Sequence, residues 1–188
     1  VQQNKTQTFS YRLVVSVSLI AAKHGGVVAV DSGLETVQGG ITSMVVSSVW
    51  AKTVEATPPT GMEAKICAVG IARILSESAV IQGDETAWNI LLGSLISVLD
   101  PKTAVVVADD DEDGALDEVV GFDGDSYSKL HFTGGNKEDD VLPEIQDAPS
   151  HAMNQLGSLC ASNPGHYSAR AGRFLSPEKV AALQAHCA

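Results

Sequence analysis

Hydrophobic positions recur with helical spacing through the first hundred residues. The clearest run is 84–100, DETAWNILLGSLISVLD. Its Trp88, Leu91, Leu92, Leu95 and Leu99 fall at i, i+3, i+4, i+7 and i+11, one stripe of a 3.6-residue period. Asp84 suits the N-cap of this helix, and the Asp100–Pro101 step predicts its end. Segment 61–77, GMEAKICAVGIARILSE, is apolar around most of its circumference. Met62, Ile66, Val69, Ile71, Ile74 and Leu75 leave a narrow polar strip of Lys65, Arg73 and Ser76. A helix of that kind must be packed on more than one side, as an inner helix of a layered all-α array is. Segments 40–56 and 6–24 are rich in β-branched residues, which also suit strands. In 6–24, Phe9, Leu13, Val17 and Ile20 keep a helical stripe, and the length favours a helix. HGG at 24–26, QGG at 38–40 and PPTG at 58–61 punctuate these segments as helix stops and starts. Short connections favour antiparallel neighbours, and the pattern predicts an all-α solenoid, although no self-similar repeat stands out.

The texture changes after Pro101. Residues 101–148 hold runs of acids, several glycines and few apolar stripes; Tyr127, Leu130 and Phe132 are its docking candidates. Helical spacing returns at 149–162, where Met153, Leu156, Leu159 and Cys160 align. A loop, NPGHYSARAGR, is expected next. Ser176, Pro177 and Glu178 then open a last helix running through Val180 and Leu183. The chain thus divides into helical repeats (1–100), an acidic connector (101–148) and a closing helical pair (149–188).

Charge sharpens this division. The net charge of −11 over 188 residues is concentrated in 101–149, where fourteen acids face three bases. Such a segment repels nucleic-acid phosphates and attracts basic peptides, so no nucleic-acid partner is expected. The plainer alternative is a solvated connector. The longest nearly apolar run, 13–22, is half the roughly 20 residues that a bilayer span needs, so membrane insertion is not expected. No signal-peptide pattern opens the chain, and the missing initiator Met suggests a piece of a longer protein. Cys67, Cys160 and Cys187 are widely spaced, which suggests free thiols in a reducing compartment.

No residue constellation calls for catalysis or a cofactor. Nucleophile-elbow, phosphate-loop, dinucleotide and zinc-protease motifs are all missing. The five histidines do not pair with cysteines at zinc spacing. Glycine pairs read as turns, and Trp50 and Trp88 as core or interface residues. One stretch imitates a metal loop: DDDEDGALDEVV, 109–120, puts Asp109, Asp111, Asp113 and Asp117 at positions 1, 3, 5 and 9 of a calcium loop, with Gly114 at the turn. Position 12, which normally closes the cage with a bidentate carboxylate, is Val120. Five consecutive acids also match the pattern in any register. A calcium-binding helical module therefore stands only as the alternative reading.

The segment KICAVGIARIL, 65–75, resembles the C-terminal region of the importin-α re-exporter family, the CAS group of importin-β-like karyopherins. LIAAKHGGVVAVDSGLETVQGGITSMVVSSVW resembles the preceding repeat of that family. WNILLGSLISVLD, the acidic connector, SYSKLHFTGGNKEDDV and HAMNQLGSLCASNPG then continue in family order. The resemblance covers nearly the whole chain. It departs at 101–125, which is longer and richer in Asp and Gly, and in the loosely matching last helix. It implies a solenoid of HEAT-like antiparallel helix pairs, with importin-α as cargo, Ran-GTP bound mainly through more N-terminal repeats, and nuclear pore proteins as possible further partners. It implies shuttling between nucleus and cytoplasm, and a scaffold with no enzymatic role. The acids Asp109, Asp110, Asp111, Glu112 and Asp113 are the candidate contacts for a basic partner segment.

Overall fold

The computed structural model describes residues 6–23, 25–99, 140–174 and Pro177. Among the described residues there are helices and turns and no strand. Helix α1 spans Gln7–Ala22, and α2 spans Gly26–Val37. A continuous helical stretch follows, made of α3 (Ile41–Val45), a π-helical turn (Val46–Trp50) and α4 (Ala51–Ala56). Next come α5 (Gly61–Glu77), α6 (Ala79–Gly83) and α7 (Glu85–Leu99). Beyond the connector lie α8 (Ala148–Ser162) and α9 (His166–Phe174).

Helices α1, α6, α7 and α8 start where a short polar side chain satisfies their first amides. Thr6 Oγ1 accepts from Phe9 N at 3.2 Å, and Asp84 Oδ1 accepts from Thr86 N and Ala87 N at 3.0 Å each. The bonds to Asp84, that from Ala87 N foremost, hold its carboxyl below the usual range. Glu35, on α2, caps the next helix from outside: its carboxylate accepts from Gly40 N at 2.6 Å and Thr42 N at 3.1 Å. The turn between α1 and α2 uses both glycines of the HGG step, with φ of +84° at Gly25 and +67° at Gly26, where side-chain-bearing residues are strained. The β-branched stretch 41–56 is helical throughout. Ser47 Oγ and Thr53 Oγ1 bond back to the carbonyls of Ser43 and Val49, at 2.8 and 2.7 Å.

Named contacts fix the directions of the helices. Arg12 pairs with Glu63 at 2.6 Å, Ser18 lies against Gly70, and Arg73 Nη1 donates to Ala22 O at 2.9 Å, so α1 and α5 run parallel. Ala148 and Pro149 share a cleft with Ala64 and Ala68, while Ser76 Oγ donates to Gln155 Oε1 at 3.0 Å, so α8 is parallel to α5 on its other flank. A second layer runs the opposite way. Trp88 Nε1 donates to Leu75 O at 3.2 Å and Val98 and Leu99 line the cleft beside Ala64, which makes α7 antiparallel to α5. Gln7 Nε2 donates to Thr57 Oγ1 at 2.5 Å, which sets the end of the stretch 41–56 beside the start of α1. The result is two layers of helix pairs, α1, α5 and α8 in one and 41–56 and α7 in the other, as expected of a HEAT-like stack. Helix α5 is the inner helix that its sequence called for: Ile66–Ala72, Ile74 and Leu75 are all buried.

Three expectations are corrected or extended. The stripe of α1 is split: Val17 is buried, but Phe9 and Ile20 are 57% and 37% exposed. The face turned inward carries the smaller Val14, Ser18, Ala21 and Ala22, because α5 approaches there too closely for long side chains. The expected loop at 163–173 is mostly helix α9, seated by Tyr167 and Arg170 against Trp88. Segment 26–37, for which no element was predicted, is helix α2. Its Asp31 accepts from Ser78 Oγ at 2.9 and 3.0 Å, tying α2 to the start of α6. The last helix expected from Ser176 lies almost wholly outside the described residues, as do Tyr127, Leu130 and Phe132.

Candidate functional site

The acids proposed as partner contacts, Asp109, Asp110, Asp111, Glu112 and Asp113, and the further calcium-loop position Asp117, lie outside the described residues. The structure does describe where the acidic segment is attached. Helix α7 ends at Leu99, and the described chain resumes at Asp140. Leu99 lines a cleft of about 310 Å³ together with Lys65 of α5 and residues 146–149. The cleft thus brings Leu99, the last described residue before the segment, close to Lys65, which binds Asp140, the first described residue after it.

The C-terminal joint is held by specific bonds. Lys65 Nζ pairs with Asp140 Oδ2 at 2.7 Å, and Lys23 Nζ donates to the Val141 carbonyl at 2.7 Å. Asp140 Oδ1 accepts from Leu142 N at 2.9 Å, and the Leu142 side chain is fully buried in the core. The Lys65 bond is the main reason that the Asp140 carboxyl lies below the ordinary aspartate range. Pairs this exposed contribute little energy, so the anchor is chiefly Leu142, with Lys23 and Lys65 fixing the direction of the chain. Sequence reading marked Lys65 as part of a polar strip on an apolar helix. The structure explains the strip: Lys65 takes Asp140, Ser76 takes Gln155, and Arg73 bridges Ala22 and Glu77. Apart from Glu77, four residues from Arg73, these partners are 51 to 79 positions away, so spacing along the chain could not reveal them.

Reactive chemistry is not assembled among the described residues. No group of three or more His, Cys, Asp or Glu there could hold a metal ion. Cys67 is buried and its thiol is pushed up to about 12 by desolvation, which suits a packing residue and not a nucleophile. Tyr11 is raised too, first by burial and then by the hydrogen bond its hydroxyl donates to Glu63. Trp50 and Trp88 are core residues, 1% and 2% exposed. No helix of the described residues is long and apolar enough to cross a membrane.

Comparison with known proteins gives this architecture its family. Exportin-2 of Xenopus laevis is 27% identical over 188 residues, and Exportin-2 of Homo sapiens 25% identical over 187. Exportin-2 of Danio rerio is also 25% identical over 187 residues. In each case 98% of this chain is covered, against 19% of the relative, so the chain spans about a fifth of the length of these proteins. No solved structure matches. The family described as CAS/CSE protein, C-terminus, matches residues 1–186. An all-helical architecture among the described residues and a family match over nearly every residue agree: the chain belongs to the CAS/CSE C-terminal family.

Proposed function

We propose that this chain is the C-terminal part of a nuclear export receptor that returns importin-α to the cytoplasm in complex with Ran-GTP, acting as a binding scaffold and not as an enzyme. The observation that carries the proposal is the family match over residues 1–186, joined to relatives named Exportin-2. A stack of helix pairs built around packing contacts suits such a role, since repeat arrays present extended surfaces to large partners. The main Ran contacts are assigned to repeats outside this chain, and pore proteins are further candidate partners. The receptor would shuttle between nucleus and cytoplasm. The test is a pull-down with the full-length protein: importin-α should be retained with Ran locked in its GTP state and lost without Ran. Retention that ignores Ran would refute the reading.

Within this reading the acidic segment is the cargo-facing element. Its charge would attract a basic segment of the cargo. Neutralising Asp109, Asp110, Asp111, Glu112 and Asp113 in the full-length protein is expected to slow cargo association about tenfold at low salt and hardly at all at high salt, as for electrostatic steering. Stopped-flow association rates across a salt series would show it. Unchanged rates would reduce the segment to a solvated connector. Calcium titration of the same protein by isothermal calorimetry is expected to give no one-to-one site of micromolar affinity, since Val120 leaves the cage open. A stoichiometric site abolished by Asp109→Ala would reverse that expectation.

A further inference from the structure

We propose that the cleft where α5, α7 and α8 meet is a docking site for a basic peptide segment of a partner protein, anchored there by one aliphatic side chain. The cleft holds about 310 Å³. Its walls are Ala64 and Ala68 of α5, Val98 and Leu99 of α7, and Ala148 and Pro149 of α8. The side chains that α5 and α8 offer here are short, so they leave the space between the three helices unfilled. A benzene molecule fits a dry apolar cavity of about 150 Å³. The cleft therefore takes a branched aliphatic side chain with its adjoining backbone. It is too small for a helix, which is about 10 Å across. Gly61, Lys65, Gln146 and Asp147 complete the lining. An apolar pocket with a polar edge is what the anchor residue of an interface needs.

Charge selects the occupant. The cleft adjoins both ends of the acidic segment, since Leu99 precedes that segment and Lys65 binds Asp140 beyond it. Residues 100–147 hold fifteen acids against three lysines. The bases that meet this run from α1 and α5 are already engaged. Lys65 pairs with Asp140 at 2.7 Å, and Lys23 Nζ donates to the Val141 carbonyl at 2.7 Å. Setting both against the acids still leaves an excess of ten negative charges. Arg12 and Glu63, at the start of α5, pair with each other and cancel. The amino ends of α5 and α8 carry about half a positive charge each, far short of that excess. A basic peptide is thus drawn to the cleft and an acidic one repelled. This docking rests on the cargo-facing reading of the acidic segment and adds to it an anchor of defined place and chemistry.

The test is fluorescence anisotropy of labelled peptides titrated with the full-length protein at low salt. One peptide alternates lysine and glycine around a central leucine, and its pair carries serine there. The leucine peptide is expected to bind about tenfold tighter. Ala64→Leu, which fills the cleft from its part-buried edge, should erase that difference, with circular dichroism confirming the fold. Neutralising Asp109, Asp110, Asp111, Glu112 and Asp113 should weaken both peptides alike and keep the ratio. Equal affinity of the two peptides for wild type would overturn the cleft proposal while sparing the reading of the acidic segment. Failure of both to bind would overturn both. A ratio that survives Ala64→Leu would place the anchor elsewhere and refute the proposal, as would equal binding of a leucine peptide with glutamate in place of lysine. Two further outcomes would give the cleft to another occupant. A leucine preference that emerges only with Tyr127→Ser, Leu130→Ser and Phe132→Ser combined would assign it to the chain's own segment. A dimer in sedimentation that Ala64→Leu dissolves would assign it to a second copy.

Discussion

Replacing Gly70 by alanine is expected to destabilise the fold by a net of about 2 kcal/mol, although alanine is intrinsically the better helix former by about 1 kcal/mol. The reason is the crossing of α1 and α5. A Cβ at Gly70 would lie 2.3 Å from the Ser18 carbonyl oxygen and 2.6 Å from the Ser18 Cα. Those are backbone atoms inside a helix and cannot swing aside as a flexible side chain could. Relief requires α1 as a whole to move off α5, opening the packing around Val14, Val17, Ala21 and Cys67. Urea denaturation should show a lower midpoint with little change in slope. A neutral or stabilising result would mean that α1 slides freely over α5 and that the parallel layer is not tightly packed there.

Truncating Leu92 to alanine is expected to cost about 2–5 kcal/mol, the range for a leucine whose cavity cannot collapse. Leu92 is 1% exposed, and it lies on α7 between Leu91 and Leu95, which are themselves fully buried. Helix α7 is in turn pressed by α5 in the other layer and by the stretch 41–56 beside it. The packing on both sides leaves the site little freedom to close over the lost methyl groups. Thermal and urea unfolding would measure the loss. A cost below about half a kcal/mol would place the leucine stripe of α7 at the surface and contradict the two-layer arrangement.

Much of this fold was legible in the sequence, for identifiable reasons. Helices α5 and α7 begin and end within a residue of expectation because punctuation and periodicity agree there: Thr60–Gly61 and Asp84 open them, and leucine spacing carries α7 to Leu99. Helix α1 was legible as a helix, but not in its orientation. Periodicity favours the face with the largest apolar side chains, whereas Gly70 demands the face with the smallest. Helix α9 was missed because its apolar content is low and its glycines at 165 and 172 imitate a loop. It is held by the buried Tyr167 and Arg170 against Trp88 of α7, a tertiary contact that no local pattern announces. The attachment of the acidic segment was hidden for the same reason, since Lys23 and Lys65 lie 118 and 75 positions from the groups they bind.

The placement of α1 and α8 on opposite flanks of α5 carries a further consequence. In such a layer, cooperativity is passed from neighbour to neighbour and is not shared by the domain at once. Helices α5 and α7, enclosed on several sides among the described residues, are expected to exchange their amides most slowly. Compliance in such a stack is graded from helix to helix by how many sides of each are covered.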